Sequence, residues 1–296
     1  MDFTGRVVIV TGAGRGIGRA HAELLTARGA AVVVNDVGGA VDGTPRGEDP
    51  AAEVVAAITE AGGRAIASTD SVATEEGADA IVDAAMTAFG RLDAVINNAG
   101  IYTVQPWLEV PTSRYRDFLD VHYLGSMLVS RAAWPHLIAS EHGRIVNTVS
   151  GAMLGVPDMV HYGSAKGAVL GLTRTLAVAA DAHGIKVNAI APGAGTRMLD
   201  QAADALPPGT VEHMKAVMPP SLVAPVAAYL AHAECAVNGE VFNAAGGTVS
   251  RLVLANTAGI TDPDLTPETV ANRLDEILAV GQAEPAPLML PSAAAS

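Results

Sequence analysis

The stretch RVVIVTGAGRGIGRAHAELLTARGAAVVVND, residues 6–36, decides the fold. Its opening apolar run, RVVIVT (6–11), predicts a strand buried on both faces. The spacing in GIGRAHAELLTARG (16–29) predicts a helix, and AVVVND (31–36) a second strand. Between the first strand and the helix lies TGAGRGIG, in which Gly12, Gly16 and Gly18 permit a tight turn. Such a turn exposes backbone N–H groups and the positive end of a helix dipole, a ready site for a diphosphate. Asp36 closes the second strand, 18 residues after Gly18. A carboxylate there accepts hydrogen bonds from an adenosine ribose and repels a 2′-phosphate, which favours NAD over NADP. Arg15, inside the loop, is the opposing signal, because a guanidinium can approach a phosphate.

The same alternation continues outward. Strands are predicted at 64–69, 93–98, 143–150, 185–192 and 240–245, with helices near 51–61, 74–89, 112–140, 162–184 and 221–233. Strands alternating with helices imply an α/β fold: a doubly wound parallel sheet with helices on both faces. No linker divides residues 1–247, which are read as one nucleotide-binding domain. Residues 248–296 form a C-terminal extension with one helix, LTPETVANRLDEIL, opened by Thr266 as N-cap and Pro267 at its first position. Its Pro- and Ala-rich end reads as an extended or mobile arm. The long turn-rich segment 37–50 either covers the adenosine or is tolerated surface.

Bulk composition excludes several classes. Half of the 296 residues are hydrophobic, which argues against disorder. One cysteine, Cys235, permits no internal disulfide and no cysteine-based metal cluster, and no metal is expected. The net charge of −13 argues against nucleic acid. No apolar stretch approaches the ~20 residues needed to cross a bilayer, and the N-terminus lacks a signal-peptide pattern. A soluble, cytoplasmic protein with no membrane partner is the expectation.

A second motif, YGSAK (162–166), carries chemistry. Tyr162 and Lys166 stand at i and i+4, on one face of a helix. A lysine ammonium beside a phenol, whose ordinary pKa is ~10, favours the phenolate and makes tyrosine a usable acid or base.

TGAGRGIG, NNAG (97–100), the Ser150 region, YGSAK and the PG of NAIAPGAGTRM (188–198) occur in order, and together they resemble the short-chain dehydrogenase/reductase family over residues 4 to about 247. The resemblance implies a Rossmann-type, seven-stranded parallel sheet and a nicotinamide cofactor. It implies that Tyr162 is the acid/base, that Lys166 lowers its pKa and binds ribose, and that Ser150 orients the substrate oxygen. Gly12, Arg15, Gly16, Ile17, Gly18, Asp36, Asp70, Ser71, Asn98, Ala99, Gly100, Pro192, Gly193 and Thr196 would contact the cofactor, with Tyr162 and Lys166; Ile190 would join the nicotinamide lining. A homodimer or homotetramer through the helices near 112–140 and 162–184 is also implied.

Two positions depart from the family pattern. Eleven residues separate Ser150 from Tyr162, one fewer than usual, and the usual spacing would point to Val149. A one-residue deletion between Ser150 and Tyr162 restores the serine; Thr148 is the alternative. In DVHYLGS (120–126), His122 stands where the family usually has asparagine, either as a proton relay or as a packed helix histidine.

HYLGSMLVSRAAWPHL (122–137), VVVNDVGG (32–39), AIAPGAGTRM (189–198), MPPSLVAPVAAYLAH (218–232) and LTPETVANRLDEI (265–277) are similar to the dehydrogenase part of type 2 peroxisomal multifunctional enzymes and their bacterial relatives. That resemblance implies NAD-dependent oxidation of (3R)-hydroxyacyl-CoA, with 17β-hydroxysteroids as alternative substrates. A CoA thioester needs a local basic patch on so acidic a chain, for which Arg197, Lys215 and Arg251 are candidates. A steroid needs only an apolar cleft, for which Met153, Leu154, Val156, Met198 and Leu199 are candidates. The rival from another class is a non-catalytic NAD-binding redox sensor, favoured by the altered serine spacing and by His122.

Overall fold

The computed structural model describes residues 1–201 and 207–289. Its first half alternates strictly: β1 (Val7–Thr11), α1 (Gly16–Ala27), β2 (Ala31–Asn35), α2 (Pro50–Glu60), β3 (Arg64–Ser68), α3 (Glu75–Phe89) and β4 (Ala94–Asn97). Then come α4 (Thr112–Leu119), a π-helical turn (Asp120–Leu124), α5 (Gly125–Ala139), β5 (Arg144–Thr148), α6 (Val160–Asp181) and β6 (Lys186–Gly193). Three shorter helices, α7 (Arg197–Asp200), α8 (Thr210–Val217) and α9 (Ala224–Ala231), lead to β7 (Val241–Ala245) and β8 (Thr248–Leu252).

The strands lie in the order β3-β2-β1-β4-β5-β6-β7-β8, and the registers from β3 to β7 are parallel. The seven parallel strands expected are present, and an eighth strand joins them at the β7 edge. Only two residues, Gly246 and Gly247, join β7 to β8, a link short enough for an antiparallel neighbour alone. The sequence of β8, TVSRL, has an exposed or half-exposed side chain at every position, so it lacks the apolar signal of the buried strands.

Why the inner strands are runs of Val and Ile is visible in the packing. Val8, Val10, Val32, Val34, Ile96 and Val146 point to one face and join Ala22 and Leu25 of α1, Val54 of α2, and Ala227 and Leu230 of α9 in one core. The intervening Ile9, Val33, Val95 and Ile145 are equally buried on the other face. Burying a Val or Ile side chain contributes about 1.5–3 kcal/mol, so this sheet is the main source of cohesion.

Chain order reverses between β1 and β4, whose neighbours run in opposite directions across the sheet. At such a switch point the connections leaving the two strands part and open a crevice. The glycine loop follows β1, and Asn98–Gly100 follows β4.

The helix expected over 112–140 is interrupted. Its wide π turn at Asp120–Leu124 carries His122, and α5 follows at Gly125, where a Cβ would meet Val72 Cγ2 at 2.8 Å. Such turns recur at functional sites because they rotate one side chain out of the regular face.

A compact unit ends at Ser250, and a second begins at Arg251. The second contains a two-stranded ladder of β9 (Ala255–Asn256) and β10 (Glu284–Pro285), with α10 (Pro267–Asn272) and α11 (Leu274–Leu278) between them. Thr266 caps α10 by accepting the Thr269 N–H at 3.1 Å. The one expected tail helix is thus two, parted at Arg273. The Pro- and Ala-rich end beyond Met289 lies outside the described residues. Among the described residues no single helix is long and apolar enough to cross a membrane.

Candidate active site

A cleft of ≈ 940 Å³ opens at the switch point. Of the expected contact residues, Gly12, Arg15, Gly16, Ile17, Asp36, Ser71, Asn98, Ala99, Gly100, Pro192, Gly193 and Thr196 line it, as do His122, Ser150, Tyr162 and Lys166. Three do not. Ile190 is fully buried within β6. Gly18 packs α1 onto the loop: a Cβ there would collide with the Gly12 carbonyl. Asp70 turns toward the strand ends, where Ser68 Oγ donates to its carboxylate at 3.0 Å and its carbonyl accepts from Asn35 Nδ2 at 2.8 Å.

The glycine loop is held from both sides. Gly12 has φ +62, and a Cβ there would lie 2.8 Å from Ala99 Cα. Asn98 Nδ2 donates to the carbonyls of Thr11 and Gly12 at 3.0 and 3.1 Å. Asp36 accepts the Gly14 N–H at 3.0 Å on one oxygen and the Gly38 N–H at 2.8 Å on the other, so the same carboxylate that faces the cleft fixes the turn. Arg15 is engaged with Glu48 in an ion pair and reaches the Gly39 carbonyl at 3.4 Å. Its charge is matched inside the protein, which weakens it as a phosphate signal.

Segment 37–50 proves to be part of the cleft. Val37, Gly39, Ala40, Val41 and Gly43 line it. The Val41 carbonyl accepts the Tyr102 N–H at 2.8 Å, and the Asp42 carbonyl accepts from Arg114 at 2.8 Å. The segment straps the glycine loop to the chain after β4. These contacts join residues far apart in sequence, so no local pattern announced them.

At the other end, α6 carries Tyr162 and Lys166 inward, both buried. Ser150 lies at the end of the β5 connection, where its hydroxyl accepts the Ala152 N–H at 3.2 Å and exerts a downward pull on the pKa of the Tyr162 phenol. A short 3-10 turn over Gly151–Leu154, Gly155 at φ +105 and Asp158 at φ 58 bring the chain round to the start of α6. Thr148 also lines the cleft, but its hydroxyl is buried with no partner, and its carbonyl accepts from Lys166 Nζ at 2.6 Å.

Burial dominates the electrostatics of the pair. Burial pushes Tyr162 up to about 12, against the smaller downward pull of Ser150. Lys166 stands 5.8 Å from the ring centroid and is itself pushed down to about 7 by burial. A lysine pushed down this far depresses the phenol less than a full ammonium would. Lowering Tyr162 takes a further positive charge in the cleft.

His122 is packed rather than loose. Its ring lies beneath Gly100, where a Cβ would sit 2.5 Å from Cε1, and its Nε2 donates to the Ile101 carbonyl at 2.9 Å. Burial, reinforced by the Lys166 charge, holds its pKa well below 6.5, so it is neutral. Its Nδ1 is buried without a partner. Tyr102, which sequence reasoning missed, stacks edge-on to Tyr162 at 5.2 Å and lines the cleft.

Of the apolar candidates, Val156, Met198 and Leu199 line the cleft, joined by Met159, Met214 and Met218; Met153 and Leu154 do not. Of the basic candidates, Arg197 lines it, Lys215 pairs with Asp200 at 2.5 Å, and Arg251 belongs to the second unit.

The short chain dehydrogenase family model matches residues 6–206, which span the glycine loop, the strap and the Ser–Tyr–Lys group. The chain belongs to the short-chain dehydrogenase family. As a member it is an oxidoreductase acting on CH–OH groups. Mycobacterium tuberculosis Rv0148, named as a short-chain type dehydrogenase/reductase, is 43% identical over 274 residues, covering 92% of this chain and 93% of that protein. Mouse peroxisomal multifunctional enzyme type 2 is 39% identical over 282 residues, 94% of this chain, yet the chain spans only 37% of the mouse enzyme. Among solved structures, a 7α-hydroxysteroid dehydrogenase complexed with NADH and 7-oxo glycochenodeoxycholic acid matches with a TM-score of 0.73 at 28% identity, over 83% of this chain and 95% of that one.

Proposed function

We propose that this dehydrogenase oxidises the secondary alcohol of a (3R)-hydroxyacyl-CoA, with NAD as the acceptor. The observation that carries the reading is the meeting of Ser150, Tyr162 and Lys166 in one cleft with a glycine loop and Asp36. The residues fit a dinucleotide: the loop is pinned in a shape that side chains at Gly12 and Gly18 would destroy, and Asp36 faces the cleft 18 residues after Gly18. Bound there, NAD supplies the redox chemistry.

The chain's own residues handle the proton and the orientation. Ser150 holds the substrate oxygen by a hydrogen bond. Tyr162 takes the hydroxyl proton; the positive ring of the oxidised cofactor, with protonated Lys166, favours its phenolate. Lys166 also bonds the nicotinamide ribose. His122, neutral and packed beneath Gly100, reads as a positioning residue of the cleft wall rather than a proton relay.

Similarity to the multifunctional enzyme over nearly the whole chain supports the acyl-CoA reading. The methionine-lined cleft and the bile-acid-bound neighbour support the alternative, a hydroxysteroid or other apolar alcohol. The rival reading, a non-catalytic NAD-binding redox sensor, rested on the short Ser–Tyr spacing and on His122; the meeting of Ser150, Tyr162 and Lys166 in one cleft weighs against it. A homodimer or homotetramer through the outer faces of α4, α5 and α6, in the cytoplasm, belongs to the same proposal; Leu119, Ile138 and Val160 are exposed on those elements.

Two measurements test these assignments. Titration with both dinucleotides is expected to show NAD binding at least about tenfold tighter than NADP, since a 2′-phosphate beside Asp36 meets like charge; tighter NADP would overturn the role of Asp36. Ser150→Ala is expected to lower kcat/KM by about 10²-fold, as loss of one oriented hydrogen bond to the reacting oxygen does. Thr148→Val, which replaces an unpartnered hydroxyl, should change it by less than about threefold. The opposite ranking would move the serine role to Thr148.

A further inference from the structure

Arg197 stands where the β6 strand gives way to α7, on the wall of the cleft. Thr196 before it caps the helix by accepting the Met198 N–H at 3.3 Å. That threonine abuts the glycine loop: a Cβ at Gly16 would lie 3.4 Å from Thr196 Cγ2. Arg197 is therefore one residue from contact with the start of α1, though it comes from the far side of the chain.

Its charge is unmatched. Arg15 pairs with Glu48, Arg19 with Glu23 and Lys215 with Asp200. Arg197 makes no hydrogen bond or ion pair among the described residues. The charges that act on it are Arg15, Asp36, Arg46 and Glu48. Glu48 is already spent on Arg15, and both oxygens of Asp36 accept backbone N–H groups. Arg15 and Arg197 thus line one cleft in a strongly acidic protein, and burial together with Arg15 pushes Arg197 below its usual range. An anion lying between them relieves that repulsion. In a βαβ unit of this type the anion at the start of the first helix is a diphosphate.

We propose that Arg197 binds the diphosphate of the dinucleotide, closing from the β6–α7 side over what the glycine loop holds from beneath. The proposal rests on the reading of the cleft as a dinucleotide site. A guanidinium suits the task, since its fork of donors matches phosphate oxygens bidentately.

Calorimetric titration of the full chain separates the possibilities. The wild type, Arg197→Gln and Arg197→Lys are each titrated with NAD, ADP and adenosine at two salt concentrations. Arg197→Gln is expected to weaken NAD and ADP by about tenfold or more. It should leave adenosine, which carries no phosphate, unchanged, and flatten the salt dependence of NAD binding. Arg197→Lys is expected to recover part of the loss. Equal NAD and ADP affinity in wild type and Arg197→Gln would overturn the role of Arg197 and leave the dinucleotide reading standing. A parallel loss of adenosine affinity would also overturn it, as would a variant with normal NAD affinity and a raised KM for an acyl-CoA. Wild-type protein that binds neither NAD nor ADP would overturn the dinucleotide reading itself.

Discussion

Tyr162→Phe is expected to reduce alcohol oxidation by at least about 10³-fold, within the range that general acid–base groups contribute, while NAD affinity stays within about twofold. The ring remains to pack against Tyr102 and Phe118, so the fold and the cleft survive the change. What is lost is one oxygen, the only phenol on α6. Because burial, against the smaller pull of Ser150, holds that phenol at about 12, the chain by itself does not ionise it near neutrality. Activity should therefore rise with pH, and the profile's midpoint should fall well below 12 when both substrate and oxidised cofactor are bound. Retention of more than a tenth of the wild-type rate in Tyr162→Phe would show that another group takes the proton.

Lys166→Met is expected to abolish activity and to stabilise the fold. Burial drives the lysine from 10.5 to about 7, with a single hydrogen bond to the Thr148 carbonyl in return. Between pH 7 and 10.5 the unfolded chain carries a proton on this side chain that the folded chain does not. Stability of the wild type therefore rises with pH across that window, and below it the full cost of a buried ammonium is present. Methionine keeps the aliphatic stem and removes the charge, for an expected gain of about 1–4 kcal/mol at neutral pH, the range seen when buried ionic groups become apolar. The rise in stability between pH 7 and 10.5 should shrink with it. Thermal unfolding of both proteins from pH 6 to 10 reads the two effects together. A lower Tm in the variant, with the pH slope unchanged, would mean that the lysine is not costly where it sits. Stability given up at a site that needs a titratable base is a common trade in enzymes.

Much of this was legible from residues 6–36, because β1 and β2 are buried on both faces and so are written as unbroken runs of Val and Ile. The glycine loop, Asp36 and the Tyr–Lys pair were legible because each depends on local spacing. The eighth strand was not, since an exposed edge strand such as TVSRL needs no apolar pattern. The π turn was not, since the DVHYLGS segment has ordinary helical composition and the close approach of Gly125 to Val72 joins residues far apart in sequence. Asp70 and Gly18 were placed on the ligand by position in a motif, while the structure uses them to hold strand ends and helix against the loop. How strongly burial raises Tyr162 and lowers Lys166 was not legible either: a sequence shows which charge is nearby, but not how deeply both partners are buried. The strap over the cleft depends on contacts between residues such as Val41 and Tyr102, which only the folded chain brings together.

The central claim is that this cleft oxidises a secondary alcohol, and initial rates of NADH formation test it most directly. Wild-type protein would be given a (3R)-hydroxyacyl-CoA, a 17β-hydroxysteroid and a simple secondary alcohol, each with NAD. The account predicts turnover, with the highest kcat/KM for the acyl-CoA. Turnover of the steroid alone would replace the substrate and keep the mechanism. Tight binding of NAD with no oxidation of any of the three would contradict the account.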